Sequence, residues 1–528
     1  MLDLLIRGGT VVDGTKAPPR PGDVGIADGR IAAVGDLAGA AARRTIEAGG
    51  QVVAPGFVDI HSHADWSLLV DPRAESAIRQ GVTTMIVGNC GHAPAPLARP
   101  EDARHLVLGY VESPEVRAGW RDVDGYLRAL EARRPAINVG TLIGHNAVRV
   151  AVLGFEPRAA RPDEIRAMRQ LVAEGMAAGA FGLSTGLEYP LGKAATTEEV
   201  VELAREARGG FYATHARHRN EGAEEALDEA LAICRTAGVP LQFSHLPPRV
   251  WAPDGATARM IAAVDRARAG GQDAAFDSVC YGWGCTSVAS LLPEWAFEDG
   301  VGALVARLGD PATRARIKAY DRPFYRFVRT GEWDQMALYS SAASPEYVGL
   351  TFAEIGARLG RDPHDALLDL MIREGEGLYG MLMAANSQRL DEIQAAIRHP
   401  ACAVESDGLT LAHDGPMAGV HHPYTYGWAA RLLGQFVRED RLLPLEEAVW
   451  KLTGLPAGRA GLPDRGRLRP GHAADVVVFD PATIRDATTM ARPDEFPPGI
   501  RLTVVNGQVA FDGRAPASTR TGVVLRRR

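Results

Sequence analysis

Eight short apolar segments, each followed by a stretch compatible with a helix, most constrain the fold of this chain. They span residues 57–63, 83–90, 138–145, 181–186, 211–215, 240–245, 273–279 and 401–407. Alternating strand and helix patterns predict a parallel sheet, and eight such units predict closure into a (β/α)8 TIM barrel. We therefore expect an α/β fold, and a chain of 528 residues with 46% hydrophobic content can bury one large core plus a smaller one.

Both ends of the chain carry short strands outside this pattern. Residues 23–34 read as a hairpin that turns at Asp28-Gly29, and residues 502–511 read as another that turns at Asn506-Gly507. Alternating apolar residues on either side of such dipeptides are the sequence sign of a hairpin. Because each end alone has too few strands to bury a face, we expect the two ends to pair into one small β-sandwich.

This organisation predicts two domains. Residues 1–55 together with 456–528 form the β-sandwich domain, and residues 56–455 form the barrel. The gap between the seventh and eighth barrel strands is longer than one helix needs. It predicts a helical insertion around 282–345 that acts as a lid.

Two histidines end the first barrel strand. His61 and His63 are two residues apart, so a strand directs both side chains to the same face, where they can grip one cation. Further metal-type residues stand at other strand ends: Cys90, His145, His215, His245 and Asp407. Active sites of such barrels lie at the C-terminal ends of the strands, so this clustering predicts a metal centre there.

Composition excludes several classes of partner. A formal net charge of -7 gives no basic footprint for nucleic acid, and no apolar run approaches the roughly 20 residues of a membrane helix. The five cysteines form no disulfide-scaffold spacing, which favours a reducing compartment, the cytoplasm. We expect a small-molecule partner, leave open the choice between monomer and homo-oligomer, and expect the terminal 526–528 arginines to be a solvated tail.

Longer motifs surround these residues along nearly the whole chain. They are residues 54–63, 81–84, 88–91, 182–189, 214–215, 244–245, 406–408 and 465–475. With them the chain resembles the amidohydrolase superfamily and, within it, the N-acyl-D-amino-acid deacylases (D-aminoacylases). The most specific motif is Gly88-Asn89-Cys90-Gly91. Most amidohydrolases bridge their metals with a carboxylated lysine on strand four, whereas the family that this chain resembles uses a cysteine on strand two, and strand four here has no lysine.

The resemblance implies a catalytic zinc with one position left for water. Its tight site would be held by Cys90, His215 and His245. A second, weaker cation near the cysteine would be held by His61, His63 and Asp407. Asp407 is also our choice for the general base, which takes a proton from the attacking water and passes it to the leaving nitrogen. The alternative is a turn-forming aspartate before Gly408. His145 and Arg149 either support the site or only pack, and Arg217 has the same two interpretations.

The substrate pocket departs from the family pattern. Pro247 stands where the family has a lysine, Tyr424 stands where it has an arginine, and residues 279–285 replace a stretch that ends in serine. The missing cations would hold a substrate carboxylate, so we expect a neutral or aromatic amide to be favoured. The residues that we expect to contact substrate are Tyr189, Tyr281, Trp283, His421, His422 and Tyr424.

Three functional interpretations follow from the sequence. The first is a zinc-dependent hydrolase of a C–N amide bond, similar to the N-acyl-D-amino-acid deacylases. The second is hydrolysis of a cyclic amide, imide or ester, as in hydantoinases and lactonases, because metal-activated water attacks any polarised carbonyl. The third is a non-enzymatic barrel scaffold, which the set of metal-type residues at one rim disfavours.

Overall fold

The computed structural model describes residues 1–527 of the chain. Strands and helices alternate through its middle, and strands predominate at both ends. The strands, labelled β1 to β20 in chain order, are Leu2–Val11, Arg20–Ala27, Arg30–Gly35, Ala42–Glu47, Val52–Pro55, Phe57–Asp59, Val82–Val87, Asn138–Thr141, Ile143–Gly144, Gly182–Gly186, Phe211–His215, Leu241–Phe243, Ala274–Ser278, Trp283–Ser287, Met336–Ser340, Leu382–Asn386, Cys402–Val404, Val476–Phe479, Ile500–Val505 and Gln508–Phe511.

The helices cover the outside of these strands. A π-helix spans Leu432–Glu439. The α-helices, labelled α1 to α19 in chain order, are Ser67–Val70, Glu75–Ile78, Ala103–Leu106, Val123–Arg133, His145–Leu153, Pro162–Ala177, Pro190–Lys193, Thr197–Glu206, Ala223–Ala237, Ala256–Ala269, Val301–Arg307, Pro311–Lys318, Phe327–Thr330, Phe352–Leu359, Pro363–Glu374, Leu390–Arg398, Trp428–Arg431, Leu445–Leu452 and Gly454–Ala460.

Eight parallel strand positions form a closed ring. β6, β7 and β8 pair in that order, and β9, β10, β11, β12, β13 and β17 continue it. β8 and β9 are two parts of one strand, separated only by Leu142. The ring closes between its first and last strands, because the amide of His63 donates to the Gly408 carbonyl at 2.7 Å and that of Asp407 donates to the His61 carbonyl at 3.0 Å. The barrel predicted from the sequence is thus confirmed.

Both chain ends contribute to one further sheet. Its order is β20-β19-β18-β5-β1-β2-β3, with β4 beside β1. The ends meet where β18 pairs antiparallel with β5, which itself pairs parallel with β1. The expected hairpin turns are present. The second turn lies against the barrel, because the side-chain Nδ2 of Asn506 donates to Oδ1 of Asn138 at 2.7 Å.

The connection between β13 and β17 is an insertion rather than a single helix. It contains the antiparallel sheet β14-β16-β15 and the helices α11 to α16. Its apolar residues form a second core together with Cys90 and Tyr189 of the barrel rim. The insertion therefore packs onto the C-terminal edge of the barrel. The domain boundaries predicted from the sequence and the lid role of 282–345 stay predictions.

Residues 523–527 do not form a solvated tail. The Leu525 amide donates to the Val139 carbonyl at 2.7 Å, so the terminal segment runs beside β8. Arg526 forms ion pairs with Asp124 at 2.7 Å and Glu131 at 3.2 Å. The expectation for this segment was wrong for Arg526, because carboxylates of α4 lie within its reach, and Arg528 lies outside the described residues.

Candidate active site

The metal-type residues predicted from the sequence lie at one edge of the barrel. His61 and His63 follow β6, Cys90 follows β7, and His245 follows β12. His215 is the last residue of β11, and Asp407 follows β17. These five Cys and His side chains are buried, whereas the Asp407 side chain keeps 17% of its surface exposed. The carboxylate is therefore the member of the group that solutes reach most easily.

Three of these residues have a backbone conformation that L-residues rarely adopt. The φ angles are 52° at Cys90, 37° at His245 and 49° at Asp407. Each such conformation costs about 1–3 kcal/mol and persists only where the surroundings impose it. At His245 the amide donates to the Asp277 carboxylate at 2.5 Å, and at Cys90 the carbonyl packs against Gly186, where a Cβ would come within 2.1 Å of it. These backbone conformations set the directions of three metal-type side chains at the rim.

Four of the side chains converge on one point. Ligand atoms of His61, Cys90, His245 and Asp407 all lie within 4.8 Å of one another. The Cys90 sulfur is 3.2 Å from His61 Nε2 and 3.6 Å from His245 Nε2. Asp407 Oδ1 is 3.4 Å from His61 Nε2 and 3.1 Å from His63 Nε2. His63 is thus linked to the group through the carboxylate.

His215 lies beside this group but faces a carboxylate that the sequence interpretation did not assign. Its Nε2 is 2.8 Å from Glu188 Oε2. Both Glu188 oxygens also accept from Arg249, each at 2.8 Å. The His215 and His245 rings are 4.7 Å apart. The structure therefore places His61, rather than His215, among the four converging ligand atoms, and the split into a tight and a weak site stays a prediction.

The electrostatics favour the ionised forms of the thiol and the carboxylate. Burial raises the pKa of the Cys90 thiol, but the charge of His61 and hydrogen bonds from His215, His61 and His63 outweigh burial and hold it well below its usual value. Burial also raises the pKa of Asp407, yet the hydrogen bond from His63 and the charges of His61 and His63 bring it to about 2. A thiolate, imidazoles and a carboxylate are the donors that zinc prefers in proteins. The donor set thus fits a zinc ion.

Two further histidines lie near this group of side chains. Both ring nitrogens of His92 and of His422 are buried and unpaired within the described residues. The His92 ring is 5.9 Å from that of His63, and the His422 pKa is affected by the charges of Asp407 and His63. Burial lowers the pKa of both rings to about 3. His92 was missed from the sequence, although it directly follows the Gly88-Asn89-Cys90-Gly91 motif.

The residues expected to contact substrate fall into different places. Tyr189 lies at the metal-type cluster, with its ring 4.6 Å from that of His215. The Tyr281 hydroxyl donates to Asp486 at 2.9 Å, and the Tyr424 hydroxyl donates to the Trp283 carbonyl. Both hydroxyls are therefore engaged within the protein.

Two of these residues line a separate feature of the surface. Tyr281 and the half-buried Trp283 border a cavity of about 360 Å³ that also includes Arg431. His421 is half-buried, in contrast to His422 beside it, which is fully buried.

The three residues whose roles the sequence left open form ion pairs within the protein. His145 Nε2 is 2.8 Å from Glu199, and Arg149 Nη1 donates to both oxygens of Glu199 at 2.7 Å. Arg217 pairs with Glu229 at 2.9 Å. These contacts support packing of α5, α8 and α9 and leave neither arginine free for another anion.

The chain is similar to known proteins along nearly its whole length. The model of the amidohydrolase family matches residues 44–511. An N-acyl-D-glutamate deacylase from Alcaligenes xylosoxydans xylosoxydans is 39% identical over 533 aligned residues, which cover 100% of this chain and 97% of that protein.

Two solved structures are similar over the whole chain. The N-acyl-D-glutamate deacylase of Bordetella bronchiseptica, complexed with zinc and a phosphonate mimic of the tetrahedral intermediate, has a TM-score of 0.83 at 36% identity and covers 99% of both chains. A D-aminoacylase with a binuclear metal centre, in which one metal activates and the second attenuates, has a TM-score of 0.81 at 33% identity and covers 100% of both chains. None of the helices in residues 1–527 has the length and apolar character that a bilayer crossing requires.

Proposed function

This chain belongs to the amidohydrolase family, and from that membership we propose that it is a zinc-dependent hydrolase of the amide bond in an N-acylated amine. It acts on carbon–nitrogen bonds other than peptide bonds, as an N-acyl-D-amino-acid deacylase-like enzyme. One observation carries the proposal: ligand atoms of a cysteine, two histidines and an aspartate converge within 4.8 Å at the C-terminal rim of the barrel. Barrels of this kind place their chemistry at that rim.

The converging side chains are the ones that would hold the metal. Cys90 and His245 belong to both the predicted tight site and the observed cluster, and His61 and Asp407 complete that cluster. His215 and His63 flank the Cys90 sulfur and supply two further imidazoles. When bound there, zinc supplies a Lewis acid that polarises a carbonyl and lowers the pKa of water to about 7.

Asp407 is the proton carrier in this proposal. Its pKa of about 2 keeps it ionised, and its Oδ1 is fixed by His63 Nε2 at 3.1 Å. A carboxylate in this position accepts a proton from the water that attacks the amide carbon, and then delivers it to the nitrogen that leaves. The free amine and the carboxylic acid are the products.

The neutral histidines on either side of Asp407 can orient the polar atoms of the amide. His92 and His422 have pKa values of about 3, so each ring carries one N–H donor and one acceptor nitrogen near neutral pH. Buried nitrogens without partners are costly. A substrate carbonyl or N–H group in the chamber would satisfy them.

Two further proposals concern the setting of this chemistry. We propose that the sheet of residues 1–55 and 456–528 and the barrel of residues 56–455 are separate domains, with 282–345 as a lid, because Phe324 of this segment stacks on the His215 ring at 5.6 Å. We also propose the cytoplasm as the compartment, because all five cysteines are free and a metal-binding Cys90 has to stay reduced.

The test of the function compares linear with cyclic amides on the metal-loaded enzyme. We expect the purified protein to carry at least one zinc per chain, to hydrolyse N-acetyl amines faster than hydantoins or dihydropyrimidines, and to lose activity in a strong chelator. Added zinc should restore that activity. Full activity in a chelator, from protein without a transition metal, would contradict the metal mechanism, and faster turnover of the cyclic amides would contradict the substrate class.

A further inference from the structure

The loop after β11 carries two arginines whose surroundings differ. Arg217 forms an ion pair with Glu229, with its Nη2 at 2.9 Å from Oε1, and its Nη1 donates to the Lys193 carbonyl at 3.1 Å. Arg219 forms no ion pair with any carboxylate of residues 1–527. The charge of Arg217 is therefore neutralised within the protein, whereas the charge of Arg219 is not.

Backbone carbonyls fix the position of Arg219. Its Nη2 donates to the carbonyl of His245 at 2.8 Å and to that of Pro247 at 2.9 Å. Its Nε and Nη1 make no hydrogen bond with residues 1–527, so Nη2 holds the loop while the N–H donors at Nε and Nη1 stay unpaired. Pro247 is the position at which a lysine was expected, so a cation reaches this place from the loop of the neighbouring strand instead.

Arg219 lies near the metal-type residues. It is half-buried, it donates to the backbone carbonyl of His245, and Asp407 is close enough for its charge to act on Arg219. Arg249 is also nearby, but its guanidinium is bound at both Nη atoms to Glu188. A partly desolvated cation that makes no ion-pair contact is unfavourable, and a bound anion would relieve that cost.

A cavity lies beside this arginine. It has a volume of about 340 Å³, and its lining includes Glu188 together with His218 and Asn220, the two residues that flank Arg219 in the chain. The loop that carries Arg219 therefore borders a cavity.

Resting on the proposed function, we propose that Arg219 is a substrate-binding residue whose unpaired N–H donors at Nε and Nη1 lie on a cation that pairs with the carboxylate of an N-acylated amino acid. A guanidinium N–H that donates to a carboxylate oxygen forms a charge-assisted hydrogen bond. This assignment removes the reason for expecting a neutral amide, since that expectation came from the missing cations at 247 and 424. The enzyme then selects free acids by a residue on the β11 loop.

The experiment uses matched pairs of substrates with the zinc-loaded enzyme. A panel of N-acetyl-D-amino acids with acidic, aliphatic and aromatic side chains is compared with the α-carboxamides of the same compounds. We expect the wild type to have the higher kcat/KM for the acids. The Arg219→Gln variant should lower kcat/KM for the acids about 10- to 100-fold, the effect of losing a charge-assisted contact, and should change it less than about 3-fold for the carboxamides.

Two control variants separate binding from folding. Arg217→Gln removes the same charge two residues away, where Glu229 already neutralises it, and should leave the ratio of acid to carboxamide unchanged. Arg219→Lys keeps a charge but not the position of the guanidinium donors, and should give an intermediate loss for the acids only. Inhibition of the enzyme by the free D-amino acid should weaken in Arg219→Gln by a factor similar to the loss in kcat/KM.

Two results would overturn the assignment. An equal loss for acids and carboxamides in Arg219→Gln would mean that the arginine only holds the loop, and a wild-type preference for carboxamides would mean that no carboxylate is bound. Failure of the proposed function looks different, because the wild type would then hydrolyse neither form, and the inference would fall with it.

Discussion

At the scale of single residues, the site depends on one carboxylate held between two imidazoles. Asp407 follows β17 with a φ of 49°, and its amide is tied to the His61 carbonyl at 3.0 Å. The backbone therefore presents the side chain to His61 and His63 and leaves part of it exposed to the chamber. A residue that is strained, ionised and accessible in this way suits a role in proton transfer.

Replacing this carboxylate should stop the reaction without removing the metal. The Asp407→Asn variant keeps the shape but cannot accept a proton, so kcat should fall by about 10² to 10⁴, the usual contribution of a general acid–base group. Zinc content, measured on the same preparation, should stay at one or more per chain because the thiolate and imidazoles remain.

A carboxylate on the loop that follows Asp407 provides the matched control. Asp414 is exposed and pairs with Arg73 at 2.6 Å. Asp414→Asn should keep kcat within about 3-fold of the wild type, since exposed ion pairs contribute less than about 1 kcal/mol. A turnover of Asp407→Asn within a few-fold of the wild type would instead assign the proton transfer to another group.

The sequence predicted which residue types meet at the rim, but not how they pair. Strand ends can be read from apolar runs, so Cys90, His245 and Asp407 could be placed there in advance. The pairing of His215 depends on side-chain rotamers and on Glu188. Nothing in the sequence distinguishes Glu188 from an ordinary loop residue. Arg219 was not singled out, because its lack of an ion-pair contact within residues 1–527 is a property of packing that spacing does not reveal.

At the scale of secondary-structure elements, a buried ion-pair group joins α5 to α8. Thr196 caps α8 by accepting the Glu199 amide at 3.1 Å, which places Glu199 in the first turn, against the barrel. There its carboxylate lies 2.8 Å from His145 Nε2 and accepts a hydrogen bond from Arg149 at 2.7 Å. Burial raises the pKa of Glu199, but the hydrogen bond from His145 and the charges of His145 and Arg149 lower it to about 2.

This group should make the fold sensitive to acid. The pKa of Glu199 is lower in the folded chain than the usual 4.5, so its stabilising contribution is complete above pH 4.5 and is lost as the pH falls towards 2. The contribution is on the order of 3 kcal/mol. Glu199→Gln should therefore lower the free energy of unfolding at pH 7 and flatten its decline in that range, as measured by urea denaturation at several pH values.

Another glutamate of the same helix gives the comparison. Glu206 pairs with Arg169 at 2.5 Å near the surface. Glu206→Gln should change the free energy of unfolding by less than about 1 kcal/mol. Equal effects of the two substitutions would show that the buried group has no special part in holding α8 to α5.

At the scale of the whole molecule, contacts between distant parts of the sequence complete the fold. β18 joins β5 across more than 400 residues, and the barrel closes between His61 and Asp407. The sequence predicted both events because eight strand–helix units and two strand-rich ends have few other ways to bury their apolar faces. It did not predict the β14-β16-β15 sheet of the insertion, since short strands within a long helical connection give little periodic signal, or the terminal segment beside β8.

The predicted metal ligands lie on both sides of the point where the barrel closes, so zinc binding should stabilise the folded chain. His61, Cys90, His245 and Asp407 come from the first, second, sixth and eighth barrel strands. They converge only in the folded state, and a ligand bound by that state alone adds about 4 kcal/mol when its concentration is 1,000 times Kd. Thermal unfolding of zinc-loaded protein should therefore occur a few degrees above that of chelator-treated protein.

Cys90→Ala should lose most of this increase, whereas Cys234→Ala, which alters a buried cysteine on α9 away from the rim, should keep it. An equal increase in Cys90→Ala would place the stabilising zinc elsewhere in the molecule, and the converging rim would then not be its binding site.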